Sequence, residues 1–123
     1  MNSKYHYKNN LLIIISSPSG AGKTTVCKKL INYDKKIKLS VSHTTRAPRD
    51  NEINGADYFF ISNDDFNSRI LDQSFLEHAN VFGNYYGTSK NNVERILSSD
   101  FDVLFDIDWQ GAAQILNSNL AKI

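Results

Sequence analysis

Eight consecutive residues, Ser17, Pro18, Ser19, Gly20, Ala21, Gly22, Lys23 and Thr24, run close to the pattern Gly, any four residues, then Gly-Lys-Ser/Thr. That pattern cradles phosphate. Its glycines let backbone N–H groups turn inward and approach phosphate oxygens. A helix that follows presents its positive N-terminus to the same anion. Lys23 can reach β and γ phosphates, and the Thr24 hydroxyl can ligate Mg²⁺. Ser17 stands where the pattern has its first glycine, which narrows the backbone angles open to the loop entry. The chemistry implied is nucleoside-triphosphate binding, with the reaction left open.

Three further segments could supply an acceptor. Arg46 and Arg49 lie three apart in a loop rich in hydroxyls. Guanidinium groups fork onto phosphate oxygens and stay charged at any working pH. Tyr58 and Tyr86 could donate hydroxyls to the same phosphate. Glu77 falls in an apolar stretch, where a bare carboxylate is costly without donors. A guanine edge offers two adjacent donors, N1–H and the 2-amino group, to one carboxylate, whereas adenine presents an acceptor at N1. Asp106 and Asp108 are two apart, so on an extended strand they share a face. At the carboxyl end of such a strand, one could support Mg²⁺ through water and the other meet the acceptor base. From spacing alone the arginines fit a solvated loop equally well. Glu77 and the tyrosines fit ordinary strand packing, and Asp108 fits a helix cap.

Positioning these residues requires an α/β scaffold. Residues 11–15 form a continuous apolar run rich in β-branched residues, which reads as a strand buried on both faces. The glycine loop and a helix over 24–33 follow, with Val26, Cys27, Leu30 and Ile31 at helical spacing. Residues 39–43 read as a strand, 44–57 as a polar loop and 58–61 as a strand. Ser62 with Asp65 suggests a capped helix to about residue 71. Residues 75–86 read as two antiparallel strands around a Gly83-Asn84 turn. Ser89 is placed to cap a helix to residue 97, residues 102–108 read as a second buried strand, and 110–116 as a helix. Residues 120–123 look like the entry to another strand, and residues 1–10 like a loose, flexible terminus.

Composition narrows the class. The chain has 123 residues, 41% hydrophobic and 22% charged, which is ordinary for a globular domain. Fourteen basic and thirteen acidic residues leave a net charge of +1, against a global nucleic-acid surface. One cysteine, Cys27, excludes an intrachain disulfide and multi-cysteine zinc sites, and fits a reducing, cytoplasmic setting. The run at 11–15 is too short for a membrane span. His6, His43 and His78 have no metal-ligand spacing.

Taken together, Ser-Pro-Ser-Gly-Ala-Gly-Lys-Thr-Thr at 17–25, Ser-His-Thr-Thr-Arg-Ala-Pro-Arg at 42–49, Asn-Gly-Ala-Asp-Tyr at 54–58, Asn-Tyr-Tyr-Gly-Thr at 84–88 and Asp-Ile-Asp-Trp-Gln-Gly at 106–111 resemble guanylate kinase. The resemblance spans residues 11–123. It implies Mg²⁺-dependent transfer of the ATP γ-phosphoryl group to GMP, giving ADP and GDP. By matching positions it implies that residues 17–25, Thr25 included, hold ATP. Arg46, Arg49, Tyr58 and Tyr86 would hold the GMP phosphate, and Ser42, Glu77, Thr88 and Asp108 would read the guanine. Lys23, Arg46, Arg49 and Asp106 would surround the travelling phosphate, with Thr24 and Asp106 serving the metal.

The implied fold is a phosphate-loop parallel-sheet core from residues 11–41 and 90–123, with 42–89 inserted as a mixed α/β GMP-binding region. Members of the family continue past the point where this chain stops. The expectation is a chain cut before the arginine-bearing lid, the adenine contacts, another core strand and the final helix. Loss of the lid arginines would impair transfer, and an unpaired sheet edge would invite self-association. Two other readings carry no catalysis: a remnant that binds GMP without turnover, and a guanylate-kinase-like module that uses the cleft for peptides. Such modules degrade the phosphate loop, whereas Lys23 and Thr24 are intact here.

Overall fold

The structure is a computed structural model that describes residues 10–16 and 23–118, with residues 23 and 24 described by backbone only. Eleven elements follow in order. These are β1 (Leu12–Ile15), α1 (Lys23–Tyr33), β2 (Ile37–Leu39), β3 (His43–Thr44), β4 (Phe59–Phe60), α2 (Asn63–Leu71), β5 (Phe75–Val81), β6 (Asn84–Ser89), α3 (Lys90–Ser98), β7 (Asp102–Asp106) and α4 (Trp109–Leu116).

They build two sheets. The first has the order β1-β7-β2 and is wholly parallel, with Ile13 opposite Leu104 and Leu39 also opposite Leu104. The second has the order β4-β3-β6-β5 and is mixed.

The parallel sheet is covered on both faces, which is why its strands carry unbroken apolar runs. Val103 and Phe105 of β7 pack with Val93 and Leu97 of α3 and Ala112 and Ile115 of α4. Leu104, pointing the other way, packs with Cys27 of α1 and Ile37. Leu12 and Ile14 join the first cluster, and Ile13 and Ile15 the second, as strand alternation requires. Cys27 is thus core, as its place on the α1 stripe suggested. In the second sheet Phe66 of α2 is fully buried against Phe75 and Tyr85.

Local signals account for several boundaries. Ser62 and Ser89 do cap α2 and α3, their hydroxyls accepting from Asp65 N–H and Asn92 N–H. Three boundaries differ from expectation. Residues 39–43 read as one strand, but the parallel-sheet strand is Ile37–Leu39; the chain leaves that sheet after Ser40, whose N–H donates to Leu104 C=O, and joins the second sheet at His43. The hairpin turns at Phe82-Gly83, not Gly83-Asn84. Both residues have positive φ, 51° and 85°, and Asn84 already pairs with Val81. Finally, β7 ends at Asp106, and Asp108 caps α4, so the two aspartates do not share a strand face.

Asn10 is tied down: its side-chain amide donates to Phe101 C=O at 3.1 Å. The rest of the expected loose terminus, the loop at 17–22 and the strand entry at 120–123 lie outside the described residues. Among the described residues, no helix is long and apolar enough to cross a membrane.

Candidate functional site

Arg46 emerges from the end of β3 into the loop that leads to β4. Its start is pinned by Thr44, which is fully buried and donates to Tyr85 C=O at 2.9 Å while accepting from Arg46 N–H at 3.1 Å. The Arg46 guanidinium forks onto Glu52, with Nη1 to Oε1 at 2.9 Å and Nη2 to Oε2 at 2.8 Å. Nη1 also donates to Ala47 C=O. The group lies over the Tyr58 ring, 5.1 Å from its centroid, and Tyr58 and Tyr86 stand 5.8 Å apart. Hydrogen bonding to Glu52 is the main force raising the Arg46 pKa, and the Tyr86 hydroxyl adds to it. The same pairing holds Glu52 down at about 2. Burial raises the Tyr58 phenol, with Tyr86 and Asp106 adding to the effect, so Asp106 projects its field into this cluster.

A second cluster forms where β5 and β6 meet α4. Glu77 is only 3% exposed and accepts from the Thr88 hydroxyl at 2.6 Å. Burial pushes its carboxyl up to about 7. The Thr88 bond opposes that rise, and the nearby Asp108 charge adds to it. Asp108 caps α4, its Oδ1 accepting from Gly111 N–H at 3.1 Å and its Oδ2 from Gln110 Nε2 at 3.0 Å. Gln114, one turn further on, clamps the exposed side of β5. His78 N–H donates to Gln114 Oε1 at 3.0 Å, and Gln114 Nε2 donates to His78 C=O at 2.7 Å.

Strand β6 links the two clusters. Tyr86 and Thr88 are two apart, hence on one side of that strand. Ser42, also buried, precedes His43, which pairs with Gly87 between them. Asp106 closes β7 opposite Ile15, the residue after which β1 ends.

Of the residues singled out in the sequence, Arg46, Tyr58 and Tyr86 come together around one guanidinium. Glu77, Thr88 and Asp108 come together around one buried carboxylate. Arg49 is exposed and meets the first cluster through its N–H, which donates to Glu52 Oε1 at 2.8 Å. Ser17, Pro18, Ser19, Gly20, Ala21 and Gly22 lie outside the described residues, as do the side chains of Lys23 and Thr24, while Thr25 is exposed on α1. Sequence reasoning passed over Glu52, Thr44 and Gln114. Glu52 carried one signal, as the sole glutamate in a loop with two arginines.

Comparison with known proteins points one way. The guanylate kinase family model matches residues 9–123. Guanylate kinase of Cereibacter sphaeroides is 52% identical over 115 residues, which cover 94% of this chain and 54% of that protein. The Salmonella typhimurium guanylate kinase is 53% identical over 108 residues, covering 85% and 51%. The crystal structure of guanylate kinase from Anaplasma phagocytophilum superposes with a TM-score of 0.77 at 38% identity, covering 89% of this chain and 55% of that one. The chain spans about half the length of the curated relatives it matches. A family match over nearly its whole length, joined to the α/β fold and the two side-chain clusters, places this chain in the guanylate kinase family.

Proposed function

We propose that the chain binds GMP between the two clusters and serves the transfer of the ATP γ-phosphoryl group to it. The observation that carries this reading is the buried Glu77 carboxylate, bonded to Thr88 and facing Asp108, one strand step from Tyr86 and the Arg46 guanidinium. A buried acid suits a donor-rich ligand edge, and guanine supplies N1–H and the 2-amino group. Ser42, Thr88 and Asp108 complete the base contacts. Arg46, Arg49, Tyr58 and Tyr86 hold the phosphate, with residues 42–89 as the GMP-binding region.

In the reaction a GMP phosphate oxygen attacks the γ phosphorus, the bond to the β,γ-bridging oxygen breaks, and ADP leaves. The chain's own part is to hold the attacking phosphate in line and offset its charge with guanidinium groups. Residues 17–25, with Lys23 among them, are assigned to ATP. Mg²⁺, when bound, neutralises charge on the β and γ phosphates. Asp106 fits it by chemistry and place: magnesium keeps several waters and takes one or two carboxylates beside phosphate oxygens. Asp106 is a carboxylate at the end of β7, level with the end of β1. Thr24 is the second assigned ligand. The setting proposed is the reducing cytoplasm, with small-molecule substrates only.

Coupled ADP release with GMP, AMP, CMP and UMP as acceptors tests the reading. Turnover with GMP alone is expected. Equal rates with AMP would remove the base assignment, and GMP binding without turnover would leave a binding protein.

A further inference from the structure

Gly111 is buried in the first turns of an eight-residue helix, α4. Glycine is the poorest helix former after proline, so something other than local propensity favours it there. A Cβ built on Gly111 would overlap the Glu77 carboxylate, falling on Oε1 and 2.9 Å from Cδ. The next neighbour, Ile107 Cδ1, stands at an ordinary 3.4 Å. The Gly111 N–H meanwhile donates to Asp108 Oδ1 at 3.1 Å. One residue therefore sets both acids, Asp108 through its backbone and Glu77 through the side chain it lacks.

We infer that Gly111 is a positioning residue for purine specificity: it reserves the space in which the Glu77 carboxylate stays beside Thr88 with Asp108 opposite. The inference rests on the reading of Glu77 and Asp108 as the pair that meets guanine. Any Cβ at position 111 pushes the Glu77 carboxylate off Thr88. What must move is the far end of a side chain, so the cost falls on recognition more than on folding. Arg46, Tyr58 and Tyr86 lie neither on α4 nor on β5, so their cluster keeps its arrangement.

The test is Gly111→Ala, with GMP and AMP affinities from titration calorimetry and an unfolding temperature for each protein. GMP affinity is expected to fall about 10- to 100-fold, as for lost buried hydrogen bonds. AMP affinity should hold, and the unfolding temperature should fall only modestly, because the better helix propensity of alanine offsets part of the lost Glu77–Thr88 bond. A folded Gly111→Ala protein with unchanged GMP affinity overturns the inference. If Gly111→Ala does not fold, Gly111→Ala combined with Glu77→Asp decides, because aspartate withdraws the carboxylate by one carbon. Recovery of the fold supports the overlap with Glu77, and failure to recover overturns it. A wild-type chain that binds GMP and AMP alike, or binds neither, instead overturns the reading of the site, and the inference falls with it.

Discussion

Glu52 takes both prongs of the Arg46 guanidinium, at 2.9 and 2.8 Å, while Arg46 lies over the Tyr58 ring. The pair is largely shielded, with side-chain exposures of 12% and 18%. Arginine has five N–H donors. Glu52 and Ala47 take three contacts at the tip, which fixes the plane of the group beside the Tyr58 and Tyr86 hydroxyls.

Glu52→Ala frees that guanidinium. Binding must then immobilise it, at about 0.5–1.5 kcal/mol for one long side chain. GMP affinity should weaken by that amount, with the guanine-over-adenine preference retained. Calorimetry with GMP and AMP checks both. Tighter GMP binding would show instead that Glu52 competes with the phosphate.

Glu77 makes binding depend on pH. Its carboxyl, at about 7 in the free chain, must ionise to accept two guanine N–H groups. GMP affinity should therefore rise up to about tenfold between pH 6 and pH 8. The phosphate's own second ionisation near pH 6 contributes too, and comparison with Glu77→Gln removes that shared part. Glu77→Ala should cost about 1–3 kcal/mol of GMP binding at pH 8. A pH slope identical in wild type and Glu77→Gln would contradict the assignment.

Folding stability carries two opposed pH dependences. Burial raises Glu77 to about 7, so its contribution is complete below about 4.5 and is lost as pH rises to 7. His43, stacked on Phe59 at 4.7 Å, is lowered by burial to about 4, with Arg69 pushing the same way and Asp65 against it. Its contribution is complete above about 6.5 and is lost as pH falls through 4. Between about 4.5 and 6.5 the slopes oppose each other. Glu77→Gln removes one, leaving stability that rises with pH by up to about 1.4 kcal/mol per unit. Urea unfolding of both proteins at pH 5 and pH 6.5 is the measurement.

Phe82 holds φ at 51° in the hairpin turn and is 90% exposed. A bulky residue is strained there, whereas asparagine is at home before glycine in such turns. Phe82→Asn should stabilise by about 0.5–1 kcal/mol, read as a higher urea midpoint at constant m-value.

Strands β1 and β7 were legible in the sequence because both faces pack against apolar clusters, leaving apolar runs that mean little else. The caps Ser62 and Ser89 were legible because capping is local chemistry. The switch at residues 40–42 was not: Ile37, Leu39, Val41 and His43 keep alternating, and nothing local marks a change of sheet. The same limit applies to the candidate site. Arg46, Glu77 and Asp108 taken singly fit a solvated loop, a strand and a helix cap, and stood out only through the family resemblance, whereas Glu52 gains its meaning from a loop fold, and Gly111 from the carboxylate that fills its missing side chain.

The clamp of Gln114 on His78 bears on how copies of this chain can stack. Strand β5 is the outer strand of its sheet, and an unguarded rim of that kind templates fibrils. Here the midpoint of the rim is already plugged by an amide that mimics a neighbouring peptide group. Polymer growth by strand accretion at β5 must first evict Gln114, so α4 serves as a doorstop against aggregation while it aligns the acids.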